Sequence, residues 1–277
     1  WRWNQPTPTF SRAVDLLFVS DTSLSLVSER RKLAKAIPNF LKGLPEGADP
    51  HIGVMLGHGG KGKWSGSLFS HGSDPKVLVP SELGEDRTAG LLEDALGCPK
   101  GELASTNGEA LLLSLKKSLS GEKFARMKSD GFYRDGASLS LVFVSDENDV
   151  CYDPTEHGFK GWPDFKDSFL GIENRARKKY CSGVTPELVK ADIERALPGR
   201  KVGVGAIVHT DPAYVWKWGE DAIGHGFLEF ASQYPDSIAV DIKGGDMDSA
   251  LSRLASVSTS QLTLMTSFKL NAEQKID

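Results

Sequence analysis

The stretch that most restricts what this chain can fold into is Ala13–Ser25, AVDLLFVSDTSLS, where a largely apolar run breaks into an aspartate followed by hydroxyl residues at spacing two. A short apolar run bounded by polar residues reads as a buried strand. It delivers Asp21, Ser23 and Ser25 to its carboxyl end, and in open α/β sheets that is the end where ligands bind.

The rest of the chain continues in α/β order. Leu26–Leu41 has near-helical apolar spacing, with Ser23 or Ser25 available as an N-cap and Pro38 placed to kink or shorten the helix. His51–Leu56 and Trp64–Ser70 read as the second and third strands, and Ser81–Leu96 as a helix broken at Gly84 and Gly90. Thr106–Leu119 is an apolar-striped helix begun by Thr106 or Asn107. Leu139–Val144 repeats the opening pattern, an apolar run that breaks into Ser145-Asp146-Glu147-Asn148-Asp149. Thr185–Leu197 is a helix capped at Thr185, and Lys201–His209 is the fifth strand. A short helix at Gly226–Gln233, a sixth strand at Ser237–Lys243 and a helix at Asp246–Val257 capped by Asp246 complete the order.

The expected architecture is therefore a Rossmann-like, doubly wound and mostly parallel sheet of about six strands flanked by helices. It occupies residues 13–257, with an extended lead-in at 1–12, a loop-rich insertion at 150–183 after the fourth strand, and an extension at 258–277. Within that extension Gln261–Leu270 alternates like a strand opening a further β-rich region.

Several function classes fall away. The balance of 33 basic and 37 acidic residues leaves a net charge of -4 and no basic stripe for a phosphate backbone, so nucleic acid is not an expected partner. No apolar run has the length of a membrane-spanning helix. Residues Gly57–Lys63, GHGGKGK, satisfy G-x-G-x-x-G and most of the Walker pattern. A phosphate loop must open a helix, however, and Trp64 stands where that pattern needs Ser or Thr, so the glycines read as a hairpin turn. The six histidines are scattered, and Cys98, Cys151 and Cys181 have no CxxC spacing for zinc. A Cys151–Cys181 bridge would imply an oxidising compartment; reduced thiols in a cytosolic protein are the alternative.

Taken together, Asp21-Thr22-Ser23-Leu24-Ser25, Thr106-Asn107-Gly108 and Val142-Phe143-Val144-Ser145-Asp146 resemble the three parts of a metal-ion-dependent adhesion site in the von Willebrand factor A (vWA) domain. That family's pattern is D-x-S-x-S, then a threonine in a loop opening a helix, then an aspartate ending a buried strand. Glu147 departs from it, since many members carry glycine there, and so does the cysteine-flanked insertion. VFVSDENDVC also resembles vWA domains of secreted or envelope-anchored bacterial proteins, which implies a periplasmic, envelope or secreted location.

The resemblance implies a divalent cation, Mg²⁺ or Mn²⁺ with Ca²⁺ also compatible, held by Asp21, Ser23, Ser25, Thr106 and Asp146. Asn107 and Glu147 would form the rim that meets a ligand. Hard cations take oxygen ligands in near-octahedral geometry and keep several waters. If the carboxylates act mainly through water, the hydroxyls leave the ion electrophilic, and a partner protein's Asp or Glu can complete its shell. This is binding chemistry rather than turnover. A blander reading has Ser23 and Ser25 cap the helix while Asp21 and Asp146 bond backbone amides. A metal-dependent hydrolase or phosphotransferase on the same scaffold, or an intracellular vWA assembly subunit, are the competing functions. For a haloacid-dehalogenase-like phosphatase, Ser23 stands where a second aspartate is needed.

Overall fold

Along β1 (Ala13–Ser20) alternate side chains enter two different cores, and this alternation organises the molecule. Leu16 and Phe18 pack on one side of the sheet with Ile52, Val54, Val142 and Ile207; Leu17 and Val19 pack on the other with Leu139, Leu141, Phe143 and Val204. The computed structural model describes residues 12–23, 25–44, 46–58, 63–97, 109–150, 181–211, 223–235, 237–243 and 246–260. Its other strands are β2 (Asp49–Leu56), β3 (Val77–Leu78), β4 (Ser138–Val144), β5 (Val202–Val208) and β6 (Ser237–Asp241).

They form one six-stranded sheet in the order β3-β2-β1-β4-β5-β6. Every pairing is parallel except that of the short edge strand β3 with β2. The first core is covered by α1 (Val27–Lys42), α3 (Glu85–Gly97) and α8 (Met247–Ser260). On the opposite face lie α4 (Leu111–Ser118), α5 (Gly121–Ser129), α6 (Pro186–Ala196) and α7 (Phe227–Ala231). Helices on both faces of a mostly parallel sheet make this the expected doubly wound α/β fold.

Four local expectations need correction. Trp64–Ser70 is not a strand: the chain turns at Gly66, whose φ is 69°, and only Leu68 bridges the sheet, opposite Met55. Leu68 and Phe69 are buried by packing, which accounts for the apolar pattern, and the real edge strand is Val77–Leu78. The Ser81–Leu96 helix is broken at Gly84 but not at Gly90, giving a one-turn α2 (Pro80–Leu83) followed by α3. Among the described residues α4 begins at Leu111 rather than at Thr106 or Asn107. Helix α5 has Met127 as its one fully buried side chain, so it offers no apolar stripe to read. Helix α1 continues through Pro38 to Lys42. Thr185 caps α6 as expected, accepting a hydrogen bond from the Leu188 amide.

The amino edge of the sheet is locked by ions. Asp15, fully buried in β1, accepts from the Arg134 amide and Nε, both at 2.8 Å, and from Arg200 Nη1 at 3.0 Å. Arg134 also reaches Asp49, and Arg200 bonds the Tyr133 carbonyl. Tyr133 has a φ of 54°, a conformation non-glycine residues rarely adopt. Its carbonyl contact and a hydroxyl hydrogen bond with Ser118 over-determine that turn. No helix among the described residues is long and apolar enough to cross a membrane.

Candidate metal centre at the carboxyl edge of the sheet

Strand order reverses at β1, which pairs with β2 on one side and β4 on the other. Such a switch point opens a crevice beyond the carboxyl ends of the strands. Ser20 stands opposite both Leu56 and Val144, so Asp21 and Ser145 leave neighbouring strands at the same level. The Asp21 amide extends the ladder by donating to the Val144 carbonyl at 2.9 Å.

The Asp21 carboxylate is fully buried. Its Oδ1 accepts from the Ser23 amide at 2.6 Å and its Oδ2 from the Ser145 hydroxyl at 2.9 Å. Ser145 Oγ in turn accepts from the Glu147 amide at 3.2 Å, tying the loop after β1 to the loop after β4. Burial pushes the Asp21 carboxyl above the usual carboxylate range, and the hydrogen bonds from Ser23 and Ser145 and the charge of Arg30 only partly counter it.

Ser23 and Ser25 do not cap α1. The N-cap position is Leu26, which has no side-chain cap hydrogen bond, and the serine hydroxyls instead hydrogen-bond each other at 3.0 Å. Adjacent oxygens in an octahedral Mg²⁺ shell with bonds of about 2.0–2.1 Å stand about 2.9 Å apart. This hydroxyl pair is joined by a hydrogen bond, and its separation also matches one edge of such a shell. Two neutral hydroxyls close to the buried Asp21 carboxylate form a hard-oxygen donor set, and these residues fit a small divalent cation better than a soft one.

Residues Ser145 to Asp149 are all buried. Asp146 is buried just beyond β4, and Glu147, placed on the rim by resemblance, is 6% exposed rather than a solvated loop carboxylate. Asp149 Oδ1 accepts from the Leu112 amide in the first turn of α4, and the Val150 amide bonds the Glu109 carbonyl. The loop after β4 therefore holds the start of α4, the helix that follows the Thr106 segment. Thr106 and Asn107 themselves lie outside the described residues, as do Cys98, Cys151, the body of the insertion, Gly59–Gly62 and Gln261–Leu270. Cys181 is buried and disulfide-bonded. Among the described residues no group of three or more His, Cys, Asp or Glu side chains is placed to hold a metal.

Arg30, Ser145, Asn148 and Asp149 went unread as site residues. Arg30 had a visible signal, because it falls in the Leu26, Leu33, Ile37 stripe of α1 where a charge must be buried with partners. Its Nη1 donates to the Asp21 carbonyl at 2.5 Å and its Nη2 to the Ser23 carbonyl at 3.1 Å. The hydroxyl of Thr22 and Oδ1 of Asn148 are buried at the same sheet edge without a hydrogen-bond partner among the described residues.

No protein-family profile and no curated protein sequence matches the chain. Solved structures overlap with it in part. A von Willebrand factor type A protein from Catenulispora acidiphila is 11% identical with a TM-score of 0.45, over 90% of this chain and 42% of that one. An aerotolerance-related membrane protein from Bacteroides fragilis is 10% identical with a TM-score of 0.40, over 89% and 99%. The human COPII-coat protein Sec24c is 11% identical with a TM-score of 0.43, over 90% and 32%. This chain spans less than half the length of the first and the third.

Proposed function

We propose that this chain is a vWA-like protein-binding module that captures an Asp or Glu carboxylate of a partner protein through a divalent cation. Asp21, Ser23, Ser25, Thr106 and Asp146 would hold the cation, Mg²⁺ or Mn²⁺ with Ca²⁺ also compatible; Asn107 would meet the ligand, and Glu147, buried without it, would join only once uncovered. The observation that carries this reading is the serine pair: the hydroxyls that could have capped α1 face one another at 3.0 Å instead. The bound cation would supply an exchangeable coordination position for an external carboxylate. The chain's own residues set its strength: Asp21 is held by the Ser23 amide and the Ser145 hydroxyl, and its burial favours a bound cation as compensating charge.

The function proposed is binding rather than turnover. The disulfide at Cys181 supports an extracytoplasmic setting, where such bonds persist, and Cys151 is the partner we assign to it. Calorimetric titration with Mg²⁺ and Mn²⁺ tests the reading. Binding that is lost in Asp21→Ala supports it, and a chain that binds neither ion refutes it.

A further inference from the structure

Arg30 is the largest fully buried side chain among the described residues. A guanidinium in a protein core is unfavourable unless its donors find acceptors, so the choice of acceptors is informative. Arg30 rises from the first turn of α1 and places its terminal nitrogens on two carbonyls of the same short loop, those of Asp21 and Ser23. These oxygens belong to the peptide planes on either side of Thr22 and Ser23. Holding both planes restricts the backbone between them, the segment whose Ser23 amide bonds the Asp21 carboxylate.

We infer that Arg30 is a positioning residue, a buried clamp that holds the loop after β1 in its ligand-presenting conformation before any cation arrives. The clamp stands on the hydrogen bonds alone; its effect on cation affinity rests on the proposed metal-binding function. Lysine keeps the charge but is a point donor on a flexible stem, and it cannot hold two carbonyls in one plane as the guanidinium fork does. Glutamine keeps polarity and loses the charge.

The test uses the full chain. Amide hydrogen exchange in chelator-treated protein reads the clamp without metal, and titration with Mn²⁺ reads its consequence. In Arg30→Lys and Arg30→Gln the Ser23 amide should exchange faster while Phe18 in β1 stays protected. Mn²⁺ affinity should fall by about tenfold or more, the range for residues that orient metal ligands. Phe40→Leu is the control for a purely structural loss: Phe40 is buried on α1 in edge contact with Phe18, and its truncation should lower thermal stability without moving either readout. In the wild-type protein the Arg30 Nη protons should be protected from solvent exchange, a measurement that needs no variant. Rapid Nη exchange, or unchanged Ser23 exchange in folded Arg30→Lys, overturns the clamp. Faster loop exchange with unchanged Mn²⁺ affinity overturns its role toward the ion. A wild-type chain that binds no Mn²⁺ refutes the metal reading, while the exchange data still decide the clamp.

Discussion

Replacing Asp21 separates what the fold needs from this side chain from what a cation needs. Asp21→Ala strips the acceptor from the Ser23 amide and from the buried Ser145 hydroxyl, and removes the carboxylate near buried Arg30. A buried donor left unsatisfied costs about 1–3 kcal/mol. Arg30 keeps its two carbonyls, so the loss comes from the two orphaned donors: at the lower end about 2 kcal/mol, or roughly 4–8 °C in Tm. Asp21→Asn keeps an oxygen for the Ser23 amide and turns a donor toward Ser145 Oγ, so its cost should stay near about 1 kcal/mol.

The pH dependence has a definite sign. A carboxyl whose folded pKa is raised binds its proton more tightly when folded, so its contribution to stability is complete below about pH 4 and is lost as pH rises through the folded value. In metal-free protein the stability of wild type relative to Asp21→Asn should therefore fall as pH rises from about 4. Mg²⁺ at a free concentration about 100-fold above its Kd would add about 2.7 kcal/mol to the wild type, and nothing to either variant. Thermal melts with chelator and with Mg²⁺, from acid to neutral pH, read all of these quantities. A full Mg²⁺ shift in Asp21→Asn would refute the placement of the cation. A loss well under 1 kcal/mol in Asp21→Ala, about the least one unsatisfied buried donor costs, would refute the hydrogen-bond arithmetic.

At the opposite edge, Asp15→Ala removes the buried carboxylate that two arginines share and, since both keep other acceptors, should cost about 3 kcal/mol by urea unfolding, whereas Asp49→Ala, at a half-exposed partner of Arg134, should cost under about 1 kcal/mol. A Cβ at Gly205 in β5 would lie 1.8 Å from Leu254 Cδ2 in α8. Gly205→Ala should therefore destabilise by about 1–3 kcal/mol or more, and adding Leu254→Ala should give less than the summed loss; strict additivity would show that α8 does not press on this strand. Peptide mapping without reductant should recover Cys181 linked to Cys151, and a link to Cys98 would reassign the bridge.

Much of this architecture was readable because apolar periodicity reports burial directly. Val14–Val19, His51–Leu56 and Leu139–Val144 were placed within a residue or two, since strands buried on both faces leave long apolar runs. Trp64–Ser70 misled for the same reason: Leu68 and Phe69 are buried, but by a turn at Gly66 rather than by pairing. Helix α5 was silent because most of its surface faces water. At the site, motif spacing could propose Asp21, Ser23, Ser25 and Asp146 but not the wiring among them. Whether a serine caps a helix or faces another serine depends on two or three dihedral angles, and Ser145 gains its role only because β1 and β4 pair in a register that sets it beside Asp21.

The two ends of β1 put similar residues to opposite uses. At the amino end Asp15 receives its arginines on the carboxylate itself, so its charge is consumed in structure. At the carboxyl end the arginine nearest Asp21 grips backbone carbonyls, and the carboxylate is held by one amide and one hydroxyl. The latter bonds fix the direction of the carboxylate without neutralising it. An aspartate buried in that manner is electrostatically unfavourable on its own, which is why burial raises its pKa. A cation arriving at the neighbouring serine hydroxyls would relieve the part of that penalty that the charge of Arg30 leaves in place.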